Sequence, residues 1–235
     1  MSDILAAKQS VIDAGLVLEY MGQGDMTRGH VSVRVPGKPE HFFMKPHSIG
    51  FDEITMDNII TFDLDGNVVA GEARPHSERY IHSEILRARP DINAVIHTHS
   101  QYTIAFSCTG QKMRPLCQGG AIFADALPVY TETMDLIRSP DMGRSVASCL
   151  GPHNAVLMRS HGVAMAGATL AQAVVLCVML EEGARIQLTA AAVGLDGWDF
   201  PPEDVTKLRT KLMRLDQFDV NFNYLVRKAR RHMPK

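Results

Sequence analysis

PHSERYIHSEILRARPDINAVIHTHS, residues 75–100, decides the fold. Residues 77–88 carry helical period and stop before Pro90, and AVIHTH (94–99) is a short apolar strand ending in polar residues. A helix followed at once by a strand is the unit of a layered α/β protein. The same stretch ends with two histidines two residues apart, so a reading of the fold is also a reading of the chemistry.

Outward from this stretch the pattern continues in both directions. Upstream, residues 3–21 place Ile4, Leu5, Val11, Ile12, Leu16 and Leu18 at helical spacing, with Ser2 or Asp3 as cap. VSVRV (31–35) and HFFMK (41–45) alternate like strands across the turn-forming PGKPE, and IITFDLDGNVV (59–69) repeats the pattern with Asp65-Gly66 at its turn. Downstream, SQYTIAFSC (100–108) reads as a helix, LPVY (127–130) as a strand, and DMGRSVASCLG (141–151) as a helix ended by glycine. AVLMRSHGVAMAG (155–167) reads as two strands broken at Ser160–Gly162. The Ala-rich run 169–193 predicts a long buried helix with more apolar surface than one partner layer covers, which favours assembly with further copies, and 202–231 an amphipathic basic one. Strands flanked by helices on both sides, with several hairpins, predict an α/β fold with a mostly antiparallel sheet. Neither a linker nor a repeat interrupts the chain, so we expect one domain over 1–235 with a C-terminal helical tail from about 202 to 235.

The composition excludes several classes. Hydrophobic residues make up 46% and charged residues 21%, enough to bury a core, and the net charge of -2 offers nothing to a phosphate backbone or an anionic membrane. Cys108, Cys117, Cys149 and Cys177 lie scattered in apolar contexts without CxxC spacing, and read as buried thiols of a reducing compartment. With no signal-like start and no apolar run of spanning length, the expected location is the cytoplasm.

His97 and His99 sit on one predicted strand at i and i+2, hence on one face, where both can reach one metal ion. His161, in RSHG, lies where a strand breaks at a glycine and can present its ring to the same point. Three neutral imidazoles suit zinc, manganese, iron or cobalt. HxH at a strand end reads equally as a polar edge turned to solvent, and Glu78 equally as a helix-start carboxylate favoured by the macrodipole.

Residues 75–100, AVLMRSHGVAMAG and the following Ala-rich helix, with RGHVSVR and KPHSIGFDEI earlier, resemble the class II aldolase/adducin family over roughly residues 5–195. The resemblance implies an αβα three-layer sandwich around a largely antiparallel central sheet, assembled as a homotetramer with active sites at subunit boundaries. It implies that His97, His99 and His161 are metal ligands and that Glu78 is a fourth ligand or the acid/base. The expected cofactor is a divalent ion, Mn2+ in preference to Zn2+.

Family members acting on sugar phosphates hold phosphate with TGN-like, TPSG-like and SSE-like loops. Here those segments read Arg28-Gly29-His30, Lys45-Pro46-His47-Ser48-Ile49-Gly50 and His76-Ser77-Glu78. Cationic side chains in place of small ones favour a flat carboxylate held by charge-assisted hydrogen bonds. The resemblance is therefore to the branch that decarboxylates hydroxy-substituted aromatic or heteroaromatic acids, with Arg28, His30, Lys45, His47, Ser48, His76 and Ser77 as candidate substrate contacts. We expect at least one of His30, His47 and His76 to point outward or merely fill space. Tyr130 lies near the family's catalytic tyrosine without its usual APY-like context, and reads equally as a packed strand tyrosine. The stretch 215–232 could bring Phe222 or Tyr224 over the ligand, or lie on its own or a neighbouring subunit. Other readings are a sugar or hydroxy-acid aldolase or epimerase and a non-catalytic adducin-head-like interaction module.

Overall fold

The computed structural model describes residues 3–194 and 200–233; the last two positions of the expected tail, 234–235, lie outside them. Helix α1 (Asp3–Tyr20) leads into strands β1 (His30–Val35), β2 (Lys38–Met44), β3 (Ile60–Asp63) and β4 (Val68–Ala70). Helix α2 (Arg79–Ala88), strand β5 (Ala94–Thr98), helices α3 (Gln101–Ser107) and α4 (Gln118–Phe123) and strand β6 (Val129–Tyr130) follow. The chain continues through α5 (Pro140–Leu150), β7 (Ala155–Met158), β8 (Gly162–Gly167), α6 (Leu170–Ala192), α7 (Pro202–Leu212) and α8 (Leu215–His232).

All eight strands form one sheet in the order β4-β3-β2-β1-β5-β8-β7-β6. Neighbours are antiparallel except β6 and β7, which are parallel. Alternation along each strand splits the core in two, because successive side chains leave a strand on opposite faces. Ala94 and Ile96 of β5 pack with Val31, Val163 and Met165 under α1, α3, α4, α6 and α8. Val95 packs on the other face with Phe42, Ala164 and Ala166 under Ile81 and Ile85 of α2 and Val146 and Leu150 of α5. The result is the expected αβα three-layer sandwich.

Three expectations need correction. The single helix over 202–231 is two helices, with Met213 ending α7 and Arg214 in extended conformation before α8. Only Cys177 is buried: Cys117 and Cys149 are half-buried and Cys108 is exposed, because each of the latter sits on an element's outer side or in a loop that periodicity does not rank. Helix α6 leaves no broad apolar face uncovered, since α3, α4 and α8 pack on it within the chain; its length therefore gives no argument for assembly. The sequence reading also missed α4, a six-residue helix whose Gly119 and Gly120 are poor helix formers.

Candidate active site

Register brings the strand histidines together. His30 of β1 pairs with His97 of β5, and His97 with Ala164 of β8. His97 shares its strand parity with Val95, so its ring faces the α2/α5 layer, and its centroid lies 4.9 Å from that of His30. His99 follows the last residue of β5, and His161 sits in the β7–β8 turn, where Ser160 adopts φ 60° and donates its N–H to Ser107 Oγ. Gly162 comes next because β8 passes close to β5: a Cβ there would lie 2.3 Å from Thr98 O and 2.9 Å from His99 Cδ2. The glycine is what allows His161 to approach His99, whose ring stacks on it at 5.2 Å.

Glu78 occupies the N-cap position of α2 and is 2% exposed. Its Oε1 accepts a hydrogen bond from the Ile137 N–H at 3.0 Å, which aims the carboxylate at the histidines. Glu78 and His161 are 3.7 Å apart and Glu78 and His97 4.0 Å. One candidate ligand atom from each of Glu78, His97, His99 and His161 falls within 4.8 Å of all the others.

Whether these groups fit a cation follows from where their protons sit. His97 Nδ1 is 3.0 Å from the Val163 carbonyl oxygen, and His99 Nδ1 is 3.0 Å from Asp25 Oδ2. Carbonyl and carboxylate oxygens only accept, so both Nδ1 atoms carry the proton. Burial pushes both imidazoles below their usual pKa, leaving them neutral with Nε2 as a lone pair. Those two lone pairs face each other at 3.0 Å. Both ring nitrogens of His161 are buried without a partner. Converging lone pairs beside a carboxylate are what a divalent cation relieves, and outer-shell acceptors on the opposite nitrogens are what orients metal-binding histidines. The residues fit.

Burial raises the Glu78 carboxyl to about 7 in the absence of a cation, with the Ile137 N–H opposing, and lowers His161 to about 4. Asp25, which the sequence reading passed over, ties His99 to Arg28: its Oδ1 accepts from the Arg28 guanidinium at 2.7 Å. An acidic residue just before RGH was the available signal.

The remaining candidates separate into near and far. Lys45 is buried, with Nζ donating to Thr27 O at 3.1 Å and Pro46 O at 3.3 Å, and burial lowers its pKa to about 8. His76 is buried, its ring 4.1 Å from that of His30 and 5.1 Å from that of half-buried His47. His47 Nδ1 and the exposed Ser48 hydroxyl share a 2.5 Å hydrogen bond. Arg28 is exposed and Ser77 half-buried. Tyr224 is 47% exposed, and Phe222, two residues before it on α8, is buried in a groove with Val33, Val35 and Asn93, at the opposite ends of β1 and β5 from His30 and His97. Within one chain the structure therefore does not bring Tyr224 to this site. Tyr130 packs in the α2/α5-side core.

The model for the class II aldolase and adducin N-terminal domain matches residues 9–188. This chain belongs to the class II aldolase/adducin family. A 4-hydroxy-3-prenylphenylpyruvate oxygenase/4-hydroxy-3-prenylbenzoate synthase of Streptomyces roseochromogenus is 34% identical over 78% of this chain, which spans just under two thirds (66%) of that relative. A 3,4-dihydroxyphthalate decarboxylase of Arthrobacter keyseri is 29% identical over 86% of each chain. The solved L-fuculose 1-phosphate aldolase of Glaciozyma antarctica superposes with a TM-score of 0.88 at 23% identity, covering 98% of this chain and 90% of that one. At that identity the likeness concerns the class II aldolase fold alone.

Proposed function

We propose that this chain is a metal-dependent carbon–carbon lyase that decarboxylates a hydroxy-substituted aromatic or heteroaromatic carboxylate, such as the vitamin B6 breakdown compound 3-hydroxy-2-methylpyridine-4,5-dicarboxylate. The observation that carries the reading is the convergence of three imidazole lone pairs and the Glu78 carboxylate, with the buried Lys45 ammonium near enough to His30 and His76 to add its charge to the burial that lowers their pKa. The decarboxylase named among its relatives, whose 3,4-dihydroxyphthalate is also a hydroxylated ring diacid, supports the substrate class.

A divalent ion, Mn2+ in preference to Zn2+, would be held by His97, His99 and His161, with Glu78 as fourth ligand until substrate displaces it, and would stabilise negative charge on a ring oxygen. The chain's own groups supply the rest. Once displaced from the ion, Glu78, whose Oε1 accepts from the Ile137 N–H, takes up a proton and moves it to the ring carbon that bears the carboxylate, directly or through a water. Protonation there leaves a non-aromatic ring, and breaking the carbon–carboxylate bond returns its electrons to the ring as CO2 departs. Lys45 supplies positive charge toward a second carboxylate, and exposed Arg28 and Ser48 with half-buried His47 are further polar contacts for it.

The same reading has the chain acting as a cytoplasmic homotetramer with sites at subunit boundaries. Met26 (74% exposed) and Met134 (71% exposed) flank Asp25 and Asp135 and offer apolar surface beside the site for a neighbouring subunit. Light scattering tests it: a fully active, concentration-independent monomer overturns that part.

The deciding assay loads the protein with Mn2+ and follows CO2 against aldehyde release across a panel of hydroxylated ring carboxylates and sugar phosphates. CO2 from the ring acids is expected. Aldehyde from a sugar phosphate with no CO2 from any ring acid returns the chain to the aldolases.

A further inference from the structure

The candidate ligands open to solvent on one side. Glu78 and His97 are buried, whereas His99 and His161 are half-buried, so a ligand reaches the point where the four converge past those two rings. Two loops each tie an arginine to a candidate ligand. On one side Asp25 accepts from His99 Nδ1 at 3.0 Å and from the Arg28 guanidinium at 2.7 Å. On the other, the Ile137 N–H donates to Glu78 Oε1 at 3.0 Å, and Arg138 is the next residue.

The backbone of Arg138 is held from both sides. The Ile137 side chain is 0% exposed in the core under α2 and α5, and Ser139 caps α5, its hydroxyl accepting from the Met142 N–H. Between these two anchors Arg138 is exposed. From Glu78 Oε1 across the hydrogen bond to Ile137 N and one peptide unit onward, the Arg138 Cα lies no more than about 8 Å away, a gap that an arginine side chain spans. Its charge reaches the carboxyl: burial raises Glu78, and the Ile137 N–H and the Arg138 guanidinium oppose the rise.

The cations around the opening differ in what their donors already hold. The Arg28 guanidinium is taken by Asp25, and Lys45 Nζ donates to the Thr27 and Pro46 carbonyl oxygens. Asp135, three residues before Arg138, turns its Oδ1 to the Leu136 N–H. Among the described residues the Arg138 guanidinium has no hydrogen-bond or ion-pair partner. An anchored arginine with its whole fork unused, beside a site that a ligand enters from solvent, is suited to a planar carboxylate.

We propose that Arg138 selects for a second carboxylate on the ring, its guanidinium taking the carboxylate that stays when CO2 leaves. A guanidinium clamped on the departing carboxylate would stabilise the bound state and lose its contact on the way to the transition state, which opposes reaction. On the retained carboxylate the contact persists throughout. The inference rests on the ring-carboxylate reading above and names the residue that makes the preferred ligand a diacid.

The test uses the Mn2+-loaded full chain with two probes, 2-nitrophenol and 3-hydroxy-2-nitrobenzoate. In both, the nitro group beside the hydroxyl stands where the departing carboxylate would be, so neither loses CO2 by the route above, and they differ by one carboxylate. Calorimetry should show the acid binding tighter in the parent. In Arg138→Gln the ratio of the two affinities should fall about tenfold, the worth of one charge-assisted hydrogen bond, while 2-nitrophenol affinity stays within about twofold. Arg138→Lys, which keeps the charge and loses the fork, should give a ratio between the two. A ratio unchanged in Arg138→Gln overturns the inference and leaves the ring-carboxylate reading standing. Loss of Mn2+ from Arg138→Gln, read by elemental analysis, also overturns it, since the residue would then support Glu78 and not meet the ligand. Absence of CO2 from every ring acid in the panel assay brings down that reading and this inference with it.

Discussion

His97, His99 and His161 on one side, and His30, His76 and His82 on the other, are two adjoining groups of imidazoles that meet where the His30 and His97 rings lie 4.9 Å apart, yet their hydrogen bonds put them to different uses. In the first group the outer nitrogens of His97 and His99 are held by the Val163 carbonyl and the Asp25 carboxylate, so the inner lone pairs meet at one point beside Glu78. In the second group the rings are strung along a line, His30 to His82 to Ser32, and His76 Nδ1 accepts from the Glu78 N–H. By distance alone His30, His76 and Glu78 also form a candidate metal trio. Their lone pairs do not converge, because one of the two histidines has already turned its lone pair to the backbone. Clustering of buried histidines does not make a metal centre; the partner on the far side of each ring does.

The harshest way to break this comparison is to remove rings from each group. We expect His97→Ala, His99→Ala or His161→Ala to abolish stoichiometric Mn2+ binding and turnover while circular dichroism stays that of the parent, whereas His76→Ala retains metal. Full metal occupancy in all of the first three variants, read by elemental analysis, removes the distinction. Next in size, Glu78→Gln should lower turnover by roughly 10²–10⁴ while metal is retained, the usual worth of a positioned acid/base. Turnover near the parent rate would reduce Glu78 to a helix-start residue.

Smaller perturbations sharpen the comparison. Asp25→Ala leaves all four candidate ligands in place but frees the His99 tautomer, and should weaken Mn2+ affinity by roughly 10–100-fold. An unchanged affinity by competitive titration means the Asp25 contact has no part in the site. The smallest expected effect is on pH dependence. Burial holds the Lys45 ammonium at about 8, below its usual value, so its charge is present below that pH and lost as pH rises through it. Affinity for a ring dicarboxylate should fall about tenfold between pH 7 and 9, in line with the worth of one charge-assisted contact. In Lys45→Arg, which stays charged, the fall should vanish. A flat profile in the parent removes Lys45 from the contacts.

Much of the fold was legible because it is written in local periodicity. The hairpins at 31–45 and 59–69, the helix before β5 and the long α6 all bury a face whose spacing shows in the chain itself. The split between α7 and α8 was not legible, since hydrophobic period continues through Met213–Arg214 while only the backbone turns. Helix α4 was missed for the opposite reason. Its glycines fit because Gly119 and Gly120 lie against the backbone of Met179 and Arg114, a contact made across about 60 residues in the first case.

What the sequence by itself determined is the αβα sandwich and the residue types of the site. HxH on a strand places two imidazoles on one face, and the glycine after His161 marks a close approach of chains. Only the tertiary structure decided which histidines have lone pairs to offer. That depends on Asp25 and Val163, whose oxygens come from other strands and loops and carry no signature beside the rings they orient. A proton's place on an imidazole is fixed by the acceptor nearest in space, and only folding brings that acceptor there.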